Sequence, residues 1–289
     1  RKDRLMIIVD YSQIALSNII VQKIDDKDLI RHMILNSLRM YNKKYRDEYG
    51  QMVLACDGFN TWRKDFFPEY KAARKKNRSA SDLDWNNIFT SLNEIREEIR
   101  DHLPWKVLHL DGTEADDIIA TLTAQTQEFG QHEPVMIISS DKDFIQLHKF
   151  SNVKQFSPIQ KKLVQDPHPI TYKWNHIMRG DSGDGIPNVL SPDDTFISEA
   201  HQNQLRQTRV DEWINNIDNL RELMGDEVYR NFQRNQTLID FDYIPEPIQT
   251  NIINTFNETK PAARMKVLTY LINKRCNQLI ECVEEFYNG

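Results

Sequence analysis

Short apolar runs that end in aspartate mark the first half of the chain. LMIIVD covers residues 5–10, MVLACD covers 52–57, and VMIISSD covers 135–141. WKVLHL at 105–110 is a fourth apolar run. Runs of this length, separated by helical patterns, predict buried parallel strands. We therefore predict an α/β fold with a mostly parallel central sheet flanked by helices.

Helical spacing appears between these runs and dominates the second half of the chain. Apolar residues from 92 to 103 share one helical face, and a second helix is predicted to begin after Thr113 as its N-cap. Beyond about residue 165 helical segments alternate with turns, and the polar stretch 191–208 is a candidate mobile loop. This division predicts an α/β core at 1–165 and a helical C-terminal region at 166–289, packed on the core.

Composition places the chain among ordinary globular proteins. It has 289 residues, of which 39% are hydrophobic and 28% charged. Apolar runs are too short for a membrane span or a signal peptide, so we expect an intracellular protein with no membrane partner. The three cysteines form no CxxC pair, which indicates reduced thiols.

Acidic residues follow the predicted strands and recur in short clusters. The candidates are Asp10, Asp57, Glu114, Asp116, Asp117, Asp141, Asp143, Asp181 and Asp184. Ligand sites in open α/β sheets form at the carboxyl ends of the strands, so these acids should converge on one crevice. A single aspartate at a strand end is more often a turn or cap residue, but the repetition weakens that interpretation.

Massed carboxylates require compensation by protons or by cations. Oxygen ligands favour Mg²⁺, with Mn²⁺ as the expected substitute, and we see no His or Cys among the acids to indicate zinc. Two such ions would activate a water and stabilise the leaving oxygen of a phosphodiester. The acidic motifs do not fit an EF-hand, and the sequence has no P-loop or GxGxxG.

A basic, aromatic segment at 62–78, WRKDFFPEYKAARKKNR, contrasts with the formal net charge of −6. Its cations would follow a phosphate backbone, and Trp62, Phe66, Phe67 and Tyr70 would stack on bases. The competing interpretation is a solvated charged face, which is the usual origin of a charge run. The segment therefore makes nucleic acid the expected partner.

The order of the motifs VD, ACD, EADD, SSDKDF and GDSGDGIP resembles the 5′-nuclease family, which includes flap endonucleases and polymerase-associated 5′-exonucleases. Longer stretches are similar to the ribonuclease H group of T-even bacteriophages: DYSQIAL, RHMILNSL, WRKDFFPEYK, IISSDKDFIQLHK and LIDFDYIP. The resemblance spans nearly the whole chain and is weaker at 191–236. It implies a Mg²⁺-dependent 5′-3′ exonuclease and flap endonuclease that removes RNA primers and adjoining DNA.

The resemblance also implies roles for individual residues. The acids expected around a first metal are Asp10, Asp57, Glu114, Asp116 and Asp141. The second metal is expected to be supported by Asp143, Asp181 and Asp184. Asp117 matches an acid in many members, but the helix turns it about 100° from Asp116, so both are not expected to bind one ion.

Residues 59–90 are expected to form an arch over the active site. Within it, Lys71 and Arg74 match positions that polarise or hold the scissile phosphate. The predicted substrate-binding side chains are Arg63, Lys64, Tyr70, Lys75, Lys76 and Arg78. The sequence departs from the family after GDSGDGIP, where later glycines of a duplex-gripping hairpin are missing, which puts a K⁺ site in doubt.

Two alternatives stay open on the sequence alone. A PIN-like RNA endonuclease would use a similar acidic crevice, usually in a smaller domain without the arch, and a non-catalytic replication factor would bind branched DNA with vestigial acids. The resemblance implies a monomer in the cytoplasm of a phage-infected bacterium. It also implies a single-stranded-DNA-binding protein and a sliding clamp as partners.

Overall fold

The structure is a computed structural model that describes residues 6–128 and 132–287 and, within these ranges, every side chain except that of Lys75. Leu5, the first residue of one predicted strand, lies outside the described residues.

Six strands form one mixed sheet. They are β1 (Met6–Asp10), β2 (Gln51–Cys56), β3 (Lys106–His109), β4 (Val135–Ile138), β5 (Val153–Ser157) and β6 (Lys162–Leu163). Their order is β3-β2-β1-β4-β5-β6, and β6 alone among these strands is antiparallel to its neighbour. The four predicted strands are confirmed as β1 to β4. Strands β5 and β6 were not predicted, because their polar residues interrupt any apolar run.

Helices cover both faces of the sheet and form the C-terminal region. They are α1 (Tyr11–Gln22), α2 (Lys27–Tyr49), α3 (Trp62–Phe66), α4 (Arg74–Ser79), α5 (Trp85–His102), α6 (Ala115–Thr126), α7 (Pro169–Arg179), α8 (Gln207–Asn215), α9 (Leu220–Met224), α10 (Asp226–Ile239), α11 (Glu246–Glu258), α12 (Lys266–Asn273) and α13 (Asn277–Ile280). Within the described ranges, no helix combines the length and apolar character needed to cross a bilayer.

Both helices predicted in the first half are present as α5 and α6, but the N-cap of α6 was wrong. Glu114, not Thr113, caps this helix, and its backbone N–H donates to the Asp117 carboxylate at 2.9 Å. This is the returning bond of a capping box, which satisfies an otherwise free backbone donor. The start of α6 is therefore built from two of the predicted site acids.

The sheet has a topological switch point between β1 and β4. From β1 the chain proceeds to β2 and β3 on one side, and β4 then pairs with the other side of β1. Side chains that follow these two strands face a common crevice, where open α/β sheets bind their ligands. Asp10 ends β1, and the segment 139–143 follows β4.

Alternating strand residues divide between two hydrophobic cores. Ile7 and Val9 pack in the core that contains α1, α2 and α5, whereas Ile8 packs in the core that contains α6. The C-terminal region joins both cores, since Leu271 of α12 lies in the first and Ile252 of α11 in the second. The sheet is thus covered on both faces partly by chain from beyond residue 165.

A third hydrophobic core joins the arch to the C-terminal region. Phe67 and Tyr70, each 3% exposed, pack there against Ile177 of α7 and Trp213 of α8. Burial of large aromatic side chains fixes the position of the segment that carries them. The base of the arch is therefore anchored next to the loop that follows α7.

The loop after α7 is clamped by a buried guanidinium. The side chain of Arg234, which is 3% exposed, donates to the carbonyls of Pro187, Asn188 and Ser191 at 3.1 Å each and pairs with Asp193 at 2.7 Å. Hydrogen bonds from a charged donor are the stronger kind. The guanidinium of Arg234 thus holds the segment that lacks the glycines expected from the family resemblance.

The polar stretch 191–208 folds back on this clamped segment. Asn203 donates its backbone N–H to the Ser191 hydroxyl at 2.9 Å and its amide to the Leu190 carbonyl at 2.6 Å. The Asn188 amide donates to the Asn203 carbonyl at 2.8 Å. The stretch predicted as a mobile loop is therefore held by specific hydrogen bonds.

We expect Arg234→Ala to destabilise the protein. Removing one partner of a buried ion pair typically costs about 3–5 kcal/mol, because the remaining polar groups stay desolvated. Equilibrium urea unfolding should show this loss, whereas Arg221→Ala, which removes an exposed pair with Asp226, should cost about 0–1 kcal/mol. Equal losses in the two variants would contradict the role of the clamp.

Candidate active site

The predicted acids converge on one cleft at the carboxyl edge of the sheet. The cleft has a volume of about 380 Å³ and is also lined by Lys71 and Arg74 of the arch. The acids that line it are Asp10, Asp57, Glu114, Asp116, Asp141, Asp143, Asp181 and Asp184. Of the nine acids predicted to bind metal, Asp117 is the one that the cleft lining does not include.

Backbone and hydroxyl donors fix the acids that follow the strands. The Ser139 hydroxyl donates to Asp10 Oδ2 at 3.0 Å, and the Asp143 N–H donates to Asp141 Oδ1 at 2.9 Å. Across the cleft, the Ala115 N–H at the start of α6 donates to Asp57 Oδ1 at 2.8 Å. These bonds orient the carboxylates before any ligand arrives.

Burial and mutual repulsion raise the pKa of several cleft acids. Burial, followed by the charges of Asp57 and Asp141, raises the pKa of Asp10 to about 8. Burial and then Asp141 raise the pKa of Asp143 to about 8, and the same two causes raise the pKa of Asp116 well above its ordinary value. The side chains present do not neutralise this concentration of negative charge.

The cluster has the donors that a divalent cation needs. One carboxylate oxygen each from Asp116, Asp141 and Asp143 lie within 4.8 Å of one another. Closely spaced oxygen donors fit hard divalent ions, and a bound cation lowers the carboxyl pKa values that the neighbouring charges raise. The residues present therefore fit a divalent metal.

Glu114 is the acid most fully surrounded by donors. Its carboxylate accepts from the Thr61 hydroxyl at 2.6 Å, from the Tyr70 hydroxyl at 3.0 Å and from Lys71 Nζ at 3.3 Å. Burial raises the pKa of Glu114, but the charges of Lys71 and then Arg63 lower this pKa below its ordinary value overall. Glu114 is therefore a carboxylate at neutral pH and links α6 to the arch.

Asp117 does not line the cleft and is paired within the protein. The Arg63 Nη2 atom lies 2.8 Å from its Oδ1, and Trp62 Nε1 donates to its Oδ2 at 3.1 Å. Its side chain is fully buried, and that of Arg63 is 4% exposed. Asp117 thus orients the base of the arch, in agreement with the expected angular separation from Asp116.

Two predicted substrate-binding residues, Arg63 and Tyr70, do not reach the surface. Arg63 Nε donates to the Leu238 carbonyl at 2.9 Å, while its other nitrogens face Asp117 and Glu114. The prediction failed because positive charge and aromatic character at 62–78 were read as surface features. Burial of Phe67 also corrects the expectation that its ring stacks on a base.

The other predicted arch cations have different settings. Lys64, Lys76 and Arg78 are exposed, and Lys76 pairs with Glu199 at 3.1 Å. Arg78 stacks on the ring of Phe89 at 4.6 Å, and both residues line the cleft. The side chain of Lys75 lies outside the described part of the structure.

The arch and the acidic loop after α7 touch through their backbones. The Lys71 N–H donates to the Asp184 carbonyl at 2.8 Å, and the Arg74 guanidinium pairs with the Asp184 carboxylate at 2.6 Å. Gly185 has φ of 74°, and a Cβ there would lie 2.9 Å from the Glu69 carbonyl oxygen. A glycine is therefore required where the two segments approach each other.

His176 was not predicted, because no histidine lies among the acids in the sequence motifs. It lies in the last turn of α7, with Nε2 3.1 Å from Asp181 Oδ2 and Nδ1 3.3 Å from Asp143 Oδ1. Burial lowers its pKa, but the hydrogen bond to Asp181 and the charge of Asp143 raise the pKa above its ordinary value overall. The sequence offered one indication of this site: His176 lies five residues before Asp181, near Gly180, which caps the C-terminal end of α7.

Comparisons with known proteins agree with this architecture. A model of the N-terminal resolvase-like domain of 5′-3′ exonucleases matches residues 14–175, and a model of the C-terminal region of T4 RNase H matches residues 170–286. Ribonuclease H of Enterobacteria phage T4 is 35% identical over 291 residues, which cover 96% of this chain and 95% of that protein. DNA polymerase I of Rhizobium leguminosarum is 36% identical over 139 residues, 45% of this chain and 12% of the polymerase.

Solved structures from bacteriophage T5 share the fold. Its flap endonuclease, in a pseudo-enzyme-product complex with DNA and metal ions, has a TM-score of 0.63 at 17% identity and covers 88% of this chain and 99% of its own. Its 5′-exonuclease with bound zinc has a TM-score of 0.60 at 18% identity, with coverages of 88% and 98%. One family model matches more than half of this chain, and the phage T4 relative aligns over nearly all of both sequences. The chain is therefore a nuclease that belongs to the 5′-3′ exonuclease family, in the group of phage T4 ribonuclease H.

Proposed function

We propose that this protein is a Mg²⁺-dependent 5′-3′ exonuclease and flap endonuclease that hydrolyses phosphodiester bonds in RNA–DNA hybrids and duplex DNA. The observation that carries the proposal is the cleft itself, in which acids from several strand ends face Lys71 and Arg74 of the arch. Carboxylates on one wall and cations on the other suit a phosphodiester approached by metal ions.

The acids divide between two proposed metal positions. Asp10, Asp57, Glu114, Asp116 and Asp141 would hold the first Mg²⁺, and Asp143, Asp181 and Asp184 would support the second. Mn²⁺ is the expected substitute at both positions. When bound, the two ions supply an activated water and neutralise the charge that develops on the phosphate.

The cations of the arch have a separate task. Burial lowers the pKa of Lys71, but the charges of Glu114 and Asp184 raise this pKa above its ordinary value overall. The side chain is therefore an ammonium at neutral pH. Lys71 and Arg74 would leave their carboxylate partners to bind the scissile phosphate, stabilising negative charge where it increases during cleavage. Arg78, stacked on Phe89 beside them, would bind the strand that leads into the cleft.

The proposal also covers the roles of the two regions of the chain, the biological substrate and the cellular location. We propose that residues 1–165 carry the chemistry and residues 166–289 bind the duplex, as the sequence division predicts. The enzyme would act as a monomer in the cytoplasm of a phage-infected bacterium and remove RNA primers during phage DNA replication. A single-stranded-DNA-binding protein and a sliding clamp are its proposed partners. The arch and the acidic loop after α7, both at the cleft, favour this function over a PIN-like RNA endonuclease.

Cleavage of end-labelled nicked, 5′-flap and RNA–DNA hybrid substrates tests this function. We expect Mg²⁺-dependent cuts near the junction, 5′-phosphorylated products, and loss of cleavage when the metal is chelated. Cutting confined to unstructured RNA would favour the PIN-like alternative. Tight flap binding without cleavage would favour the non-catalytic replication factor.

Asp141→Asn should lower the single-turnover rate in Mg²⁺ by at least about 100-fold. Losing a residue that only supports a metal ligand costs up to about 100-fold, and the loss of a direct ligand should cost at least as much. The substitution keeps the shape of the side chain but weakens its attraction for a cation. Flap binding measured in Ca²⁺ should largely persist. Asp101→Asn, an exposed position on α5, is the matched control, and a parental rate in Asp141→Asn would refute the assigned role.

Lys71→Ala should chiefly lower kcat, by about 10²–10³-fold, because the lost ammonium stabilises charge in the transition state. Lys266→Ala, an exposed position on α12, should leave the rate unchanged. Single-turnover kinetics at saturating enzyme separate this effect from weaker substrate binding. If only the substrate affinity falls, Lys71 belongs with the binding cations of the arch.

A further inference from the structure

His176 is not part of the cleft lining but lies directly beside two of the acids that line it. Its side chain is 13% exposed, and its ring lies between Asp143 and Asp181. One donor atom from each of these three residues lies within 4.8 Å of the others. The site thus combines one nitrogen donor with carboxylate oxygen donors.

The two ring nitrogens of His176 have different partners. Nε2 is hydrogen-bonded to Asp181 Oδ2 at 3.1 Å, so this nitrogen carries the proton in the neutral ring. Nδ1 is buried and has no hydrogen-bond partner among the described residues. In the neutral ring, its lone pair therefore has no donor among the described residues.

The position of Nδ1 matches that of a metal ligand. It lies 3.3 Å from Asp143 Oδ1, without the geometry of a hydrogen bond. A lone pair and a carboxylate oxygen at this separation repel each other unless a proton or a metal ion lies between them, and a metal ion bound here would displace the proton. Two adjacent ligands of an octahedral ion are about 3.0 Å apart when each bond is about 2.1 Å, which is close to the observed separation.

Asp181 then has a role that differs from that of the other acids. Histidines that bind metals usually donate their second N–H to a carboxylate, which fixes the tautomer and the orientation of the ring. The Nε2–Asp181 bond has this form, and a backbone N–H from Asp184 holds Asp181 Oδ1 at 3.2 Å. Asp181 is accordingly placed to orient His176.

We propose that His176 Nδ1 is a direct ligand, together with Asp143, of the second divalent cation, with Asp181 as its positioning residue. This inference rests on the proposed metal-dependent function and assigns a mixed nitrogen and oxygen site where the family resemblance implies acids. Imidazole binds first-row transition ions better than it binds Mg²⁺. The second position therefore favours Mn²⁺ over Mg²⁺ more than an all-oxygen position does.

Pulsed electron paramagnetic resonance of bound Mn²⁺ tests this ligand directly, without any measurement of cleavage. The full-length wild-type protein loaded with two equivalents of Mn²⁺ should show ¹⁴N coupling, which changes to ¹⁵N coupling when its histidines are labelled. His176→Gln should abolish the coupling, and His176→Asp should abolish it while keeping an oxygen donor. His201→Gln, an exposed position in the 191–208 stretch, should retain the coupling.

Binding measurements give the second readout. Mn²⁺ titration should show one of two affinities weakened by about tenfold or more in His176→Gln, with a smaller change for Mg²⁺. Absence of histidine coupling in wild-type protein that binds Mn²⁺ overturns the inference and leaves the metal-dependent nuclease intact. Persistence of the coupling in a folded His176→Gln variant also overturns it. Failure of the wild-type protein to bind Mn²⁺ or Mg²⁺ would instead overturn the proposed function.

Discussion

Electrostatic repulsion between carboxylates at one edge of the sheet is the constraint on which the site depends. Parallel strands that end in aspartate place negative charges together, and burial in the cleft disfavours the ionised form of each carboxyl group. The raised pKa values of Asp10, Asp116 and Asp143 are the direct result. A fold that holds such a cluster needs protons or cations to compensate it, so the same repulsion that raises these pKa values favours the binding of a divalent metal.

The protein neutralises part of this charge itself and leaves the rest for ligands. Arg63 pairs with Asp117 and lies 3.7 Å from Glu114, and its burial holds it beside these two acids. Lys71 is a partner of a different kind, since 27% of its side chain is exposed and its bond to Glu114 is long at 3.3 Å. A partly exposed cation can exchange a carboxylate for a phosphate at little cost, whereas a buried one cannot. Two basic residues of one segment therefore differ in how readily they can leave their carboxylate partners.

The sequence predicted the central features because they follow from short-range rules. Apolar runs ending in aspartate identify β1, β2 and β4, and topology brings their carboxyl ends together. The 100° rotation between successive helical residues separated Asp117 from Asp116. Arg63 and Tyr70 were misplaced because the segment 62–78 has only short helices, so no periodic pattern reveals which side chains face inward. His176 was missed because its proximity to Asp143 depends on how α7 packs against the segment 142–149, a tertiary contact with no local signal.

The third hydrophobic core explains how the arch and the acidic loop after α7 are held together. Phe67 and Tyr70 anchor the base of the arch against α7 and α8, and the loop after α7 is clamped by Arg234. Since the Lys71 N–H also binds the Asp184 carbonyl, the arch cation and the acidic loop have a fixed relative position. The chain lacks the later glycines of the family hairpin, yet Arg234 holds the loop by its carbonyls with an internal charge. A buried side chain thus determines the position of this loop.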